Sequence, residues 1–111
     1  MSLEGTLDVT VGDGVSFEFA VHNAGDDPVD MQFSDAQTFD VVVERADTDE
    51  KVWRFSHGMM FAQMLQQETL PAGETETFEA TWEDPDPGQY RAHGTLAATN
   101  VGCDADASFT V

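Results

Sequence analysis

The chain has 111 residues, with 22 Asp or Glu against 4 Lys or Arg, a net charge of −18, one cysteine and a 41% hydrophobic fraction. That length suits one domain, and the apolar content is enough to bury a core without metal or disulfide staples, so the high charge does not imply disorder. Four cations cannot neutralise a phosphate track, which excludes direct nucleic-acid binding, and a lone Cys103 excludes an intramolecular disulfide.

The opening MSLEGTLDV lacks the basic and apolar regions of a signal peptide. No run approaches a membrane span, so the expectation is a soluble protein of the reducing cytoplasm. The acids are scattered through every segment rather than gathered in a tail or on one block. Their mutual repulsion is largely screened in molar salt, where the Debye length is about 3 Å, which points to a halophile's cytoplasm. A DNA-mimic role would need the charge focused on one face, and the sequence does not focus it.

Period-two alternation runs along most of the chain. In TLDVTV (6–11), Leu7, Val9 and Val11 share one face, and in VSFEFAV (15–21) Val15, Phe17, Phe19 and Val21 do. VDMQF offers Val29, Met31 and Phe33, and TFDVVVE offers Phe39, Val41 and Val43. Val52–Phe55 reads as a short strand. TETFEATW follows with Phe78, Ala80 and Trp82, then QYRAHGTLA with Tyr90, Ala92, Leu96 and Ala98, then ADASFTV with Ala105, Ala107, Phe109 and Val111. Turn signals separate these runs at 12–14, 24–28, 46–50, 71–73, 84–88 and 100–104. Seven to eight short strands at this spacing predict an all-β, immunoglobulin-like antiparallel sandwich occupying residues 1–111. Tyr90, just after a Pro-rich turn, sits where a tyrosine corner would open a late strand.

Residues 56–70 break the rhythm. In SHGMMFAQMLQQETL the apolar Met60, Phe61, Met64 and Leu65 fall at i, i+1, i+4 and i+5, which predicts a short helical turn near 58–65, with Ser56 as its cap and Gly58 limiting its length.

Four blocks, FSDAQTFDVVV, KVWRFSHGMMFAQML, TLPAGETETFEATW and PGQYRAHGTL, follow one another from about Asn23 to about Ala98 in the order and spacing of the Bacillus-type intracellular proteinase inhibitor (BsuPI) family. The chain resembles that family, and its acidity marks it as a halophilic, archaeal branch. The resemblance implies an immunoglobulin-like sandwich and inhibition of an intracellular serine protease. It carries over no set of inhibitory residues.

The segment VWRFSHGMMFAQML is the candidate partner-binding site: Trp53, Phe55, Ser56, His57, Met59, Met60, Phe61 and Met64. The conservative reading places Trp53, Phe55, Phe61 and Leu65 as a plug in an open end of the sandwich, because burying such rings is worth several kcal/mol gross at about 25 cal/mol per Å². Met59 and Met60, being adjacent, cannot both point inward, so at least one is expected to form an apolar tip beside His57 and Gly58. A rigid tip of that kind suits an inhibitor that docks with little loss of entropy.

Other chemistries find less support. His57 with Met59, Met60 and Met64 offers soft ligands for Cu(I), yet without diagnostic spacing, and the Asp-rich turns at 26–30, 47–50 and 83–87 lack the calcium-loop pattern. No metal or cofactor is expected. Ser56 and His57 are adjacent, which does not make a nucleophile and base, and His22 and His93 are expected on the outer faces of different sheets. Cys103 lies in an acidic loop that should raise its thiol pKa. The reading is a monomeric, non-enzymatic inhibitor that occludes a serine protease. The alternative is a non-inhibitory interaction or assembly module of the same fold that works through an edge strand.

Overall fold

Alternating burial along nine strands generates the architecture. The computed structural model describes residues 3–57 and 63–111, and the strands are β1 (Leu3–Val11), β2 (Val15–Asn23), β3 (Val29–Phe33), β4 (Phe39–Arg45), β5 (Lys51–Arg54), β6 (Gln66–Leu70), β7 (Thr75–Trp82), β8 (Gln89–Leu96) and β9 (Asp104–Thr110). Pairing is antiparallel throughout. A three-stranded sheet β1-β2-β7 faces a four-stranded sheet β5-β4-β8-β9, and β3 and β6 form a separate ribbon. Consecutive β1 and β2 pair, whereas β2 reaches across to β7 and β4 across to β8, the crossed connectivity of an immunoglobulin-like sandwich.

The predicted apolar faces are the inner faces. Val15, Phe17, Phe19 and Val21 of β2 are buried against Phe39, Val41 and Val43 of β4 and Tyr90, Ala92 and Leu96 of β8, in one core cluster. Register aligns these rows: Phe19 opposes Phe78, Val43 opposes Ala92, and Tyr90 opposes Phe109. A linked set of rings crosses between the sheets, with Phe39 5.0 Å from Phe78, Phe17 5.7 Å from Phe109 and Trp82 5.1 Å from Tyr90. Such pairs each contribute about 0.5–1.5 kcal/mol beyond their burial.

Three local devices fix the ends. Tyr90 Oη donates to the Asp86 carbonyl at 2.6 Å, so the tyrosine corner read from the sequence is present. Asn23, fully buried, donates through Nδ2 to the carbonyls of Asp27 (2.8 Å) and Leu70 (3.0 Å) and accepts from the Gly25 N–H (3.0 Å), tying the end of β2 to β6. At the open side of the sandwich β1 closes on β9. A Cβ on Gly5 would meet the Asp104 carbonyl oxygen at 2.5 Å, so only glycine permits that approach.

One strand was not legible. Residues 56–70 read only as a break in the strand rhythm, but Gln66–Leu70 form β6, paired with β3 in register from Val29↔Leu70 to Phe33↔Gln66. QQETL buries only Leu70, so no apolar alternation announces it. The helical turn expected near 58–65 lies outside the described residues except for Gln63–Leu65, which have no regular structure, and the described residues contain no helix. None is therefore long and apolar enough to cross a membrane.

Candidate functional site

Strand β5 is the outer member of its sheet and carries the first half of the candidate site. It pairs with β4 through Val42↔Arg54 and Val43↔Trp53, with a bulge at Val43/Glu44. Trp53 turns inward, half-buried, with its ring 5.6 Å from Phe17 and 6.1 Å from Trp82. Phe55 stacks on Phe39 at 4.8 Å, and both Trp53 and Phe55 pack against the core. These rings fill the gap at the β5 edge, where apolar area leaves water most cheaply.

Immediately beyond, the chain is pinned. The Asp40 carboxylate accepts from the Ser56 N–H (Oδ1, 3.1 Å) and the Ser56 hydroxyl (Oδ2, 2.7 Å), and pairs with Arg54 at 3.3 Å. The Phe55 N–H donates to the Val41 carbonyl and the His57 N–H to the Arg54 carbonyl, closing a turn that leaves His57 exposed. At the far end Gln66 Nε2 donates to the Asp35 carbonyl at 3.0 Å, and Gln66 lies opposite Phe33 in the β3–β6 ladder. The two ends of the segment 57–65 are thus fastened to the start of β4, through Asp40, and to the connection between β3 and β4, through Asp35.

Of the expected site residues, the structure brings Trp53, Phe55 and Ser56 together around this pin and leaves His57 and Met64 on the surface, Met64 54% exposed. Met59, Met60 and Phe61 lie outside the described residues. Leu65 corrects the expectation of a plug: it is 86% exposed. Within β6, Gln67 falls on the outer side, opposite in phase to buried Leu70, and Leu65, just ahead of the strand in a stretch without regular structure, is exposed as well. The two pins, the Asp40 carboxylate and the Asp35 main-chain carbonyl, carried no sequence signal, because their partners lie 16 and 31 residues away.

The remaining candidates do not assemble. His22 and His93 sit on different sheets, as expected; His22 Nδ1 meets Thr75 Oγ1 at 2.8 Å, and His93 lies against Asp106, with Asp104 3.7 Å from its Nε2. Among the described residues no three His, Cys, Asp or Glu are grouped to hold a metal. Burial, and then the neighbouring Asp104, push the Cys103 thiol pKa up, so burial outweighs the acidity anticipated from the loop. Lys51, Arg54, Arg91 and His93 line a shallow depression on the outer face of the four-stranded sheet, but Glu44 and Asp49 already pair with Arg91, and Asp40 with Arg54. Exposed pairs of this kind contribute little, and they leave no free cation cluster for an anion.

The class defined by this geometry is an antiparallel β-sandwich with a partly apolar segment, fastened at both ends, beside an edge strand. The sequence profile of the intracellular proteinase inhibitor (BsuPI) family matches residues 3–101, and the chain belongs to that family. No curated protein matches it. Similar solved structures include the beta-glucosidase of Kluyveromyces marxianus, 14% identical with a TM-score of 0.56 over 99% of this chain and 14% of the enzyme. The same enzyme in complex with glucose gives 13%, 0.53, 99% and 14%, and Bacteroides uniformis beta-glucuronidase gives 13%, 0.50, 94% and 12%. The chain spans about one seventh or less of those enzymes, and identities this low speak to the fold alone. The family description implies a protease as partner and an intracellular setting, and a proteinase inhibitor family is typically non-enzymatic.

Proposed function

We propose that this protein inhibits a cytoplasmic serine protease by non-covalent occlusion, docking through the segment from Trp53 to Met64 and performing no chemistry of its own. The observation that supports this best is the double pin. Ser56 is held by Asp40 and Gln66 by the Asp35 carbonyl, while Trp53 and Phe55 are locked into the ring array. A segment tied at both ends loses less conformational freedom on docking, which favours tight association at small area. Met59 and Met60 are the proposed contacts, with Trp53, Phe55 and Phe61 as their support. The protein acts as a monomer in molar salt, in keeping with its net charge of −18.

The test is titration of a serine protease with the protein in molar KCl. Loss of activity that saturates at one inhibitor per enzyme supports the reading, and Met59→Asp or Met60→Asp should weaken it. Inhibition untouched by both substitutions would count against the segment, and no inhibition of any serine protease would count against the function.

One feature favours the assembly alternative. Among the described residues strand β7 pairs only with β2, and it runs eight residues without a bulge or proline, so its outer edge can take an added strand. Binding lost on Thr77→Pro, with protease inhibition absent, would select that reading.

A further inference from the structure

Leu65 is the most exposed large apolar side chain among the described residues, 86% exposed on a chain of net charge −18. Its setting is specific. It lies one residue before Gln66, the pinned start of β6, so its backbone is held from one side. Among the described residues strand β6 pairs with β3 alone, which leaves its other edge to take a further strand. Residues 55–67 contain no Asp, Glu, Lys or Arg, although about one residue in four elsewhere is charged. A strand edge at Gln66–Leu70 headed by one projecting aliphatic side chain, in an uncharged run of sequence, is what a protease cleft receives from its substrates. The main chain adds as a strand, and one side chain fills the primary pocket. Charged groups at the centre of such a contact would lose their hydration, and this stretch has none to lose.

We infer that Leu65 is the side chain that enters the primary specificity pocket of the target protease, and that the target is a protease whose pocket accepts large aliphatic side chains rather than basic ones. The inference rests on the inhibitor reading. Met64 is less exposed, at 54%. Gln66 and Gln67 continue the strand beyond it.

The experiment measures inhibition constants for the full chain and for Leu65→Asp and Leu65→Lys against two purified serine proteases. One has an apolar primary pocket and the other an acidic pocket selective for Lys and Arg. Thermal melts accompany each variant and should be unchanged, because the side chain is exposed. The wild-type chain should inhibit the apolar-pocket enzyme, and Leu65→Asp should weaken that inhibition by about 100-fold or more. Leu65→Lys should shift preference toward the acidic-pocket enzyme by a similar factor. Wild-type inhibition that neither variant changes would overturn the role of Leu65 and leave the inhibitor reading standing. Failure to inhibit either enzyme would overturn both. A dimer in sedimentation that Leu65→Asp dissolves, with inhibition unaltered, would assign the exposed leucine to self-association and overturn the inference.

Discussion

Replacing Asp40 by alanine removes the pin at the head of the segment, and its cost follows from the contacts. The carboxylate, 16% exposed, accepts from the Ser56 N–H at 3.1 Å and the Ser56 hydroxyl at 2.7 Å. Hydrogen bonds to charged groups contribute about 1.5 kcal/mol each when partly buried. The Arg54 contact at 3.3 Å adds little, about 0.3 kcal/mol, because that side chain is 49% exposed. Allowing for rehydration of the freed donors, Asp40→Ala should destabilise by about 2–3 kcal/mol and lower Tm by about 10 °C for a chain of this size. Ser56→Ala, which loses only the hydroxyl bond, should cost about 1 kcal/mol alone and almost nothing in the Asp40→Ala background. Chemical denaturation followed by Trp fluorescence in molar KCl measures all three variants. If Ser56→Ala costs the same in both backgrounds, Ser56 and Asp40 are not coupled and the pin is not what orders the segment.

Other perturbations probe the scaffold and the solvent. Tyr90→Phe removes the hydroxyl bond to the Asp86 carbonyl and should cost about 1 kcal/mol in equilibrium unfolding. Gly94→Ala would place a Cβ 3.1 Å from Cδ1 of buried Phe19 and should destabilise by about 1–3 kcal/mol, whereas Gly12→Ala, with nothing within 4 Å, should be nearly neutral to packing. The raised Cys103 pKa means the folded state favours the protonated thiol. Its contribution to stability is complete below the pKa of an unfolded cysteine and fades as pH rises through the higher folded value, so alkylation at pH 8 should be slower in the folded chain than after denaturation. Melting temperature should climb steeply between dilute buffer and molar KCl; a flat profile would contradict the halophile reading.

Much of the sandwich was legible because strand burial repeats every second residue. Val15, Phe17, Phe19 and Val21 announced β2, and all four are buried. The tyrosine corner was legible because it is local, joining residues four apart. Strand β6 was hidden because its pairing with β3 leaves most side chains in water, and a half-exposed ribbon needs no apolar rhythm. The expectation that Leu65 plugs the end of the sandwich fails because the residue stands just ahead of this exposed ribbon, 86% in water. The candidate segment was legible by its composition, since aromatics and methionines stand out among acids. What fastens it was not, because Asp40 resembles every other acid in the chain until the fold brings it beside Ser56, and the hold on Gln66 is a backbone carbonyl that any residue could supply. The expectations for Met59, Met60 and Phe61 fall on residues outside the described part of the chain.

Occlusion of an active site is tested most directly by comparing binding to a serine protease in its free form with binding to the same enzyme whose active site has been blocked covalently by a small reagent, both in molar KCl. Occlusion through the pinned segment predicts tight binding to the free enzyme and a loss of about 100-fold or more on blocking. Equal affinity for the two forms would mean that the protein docks elsewhere and does not act by filling the cleft.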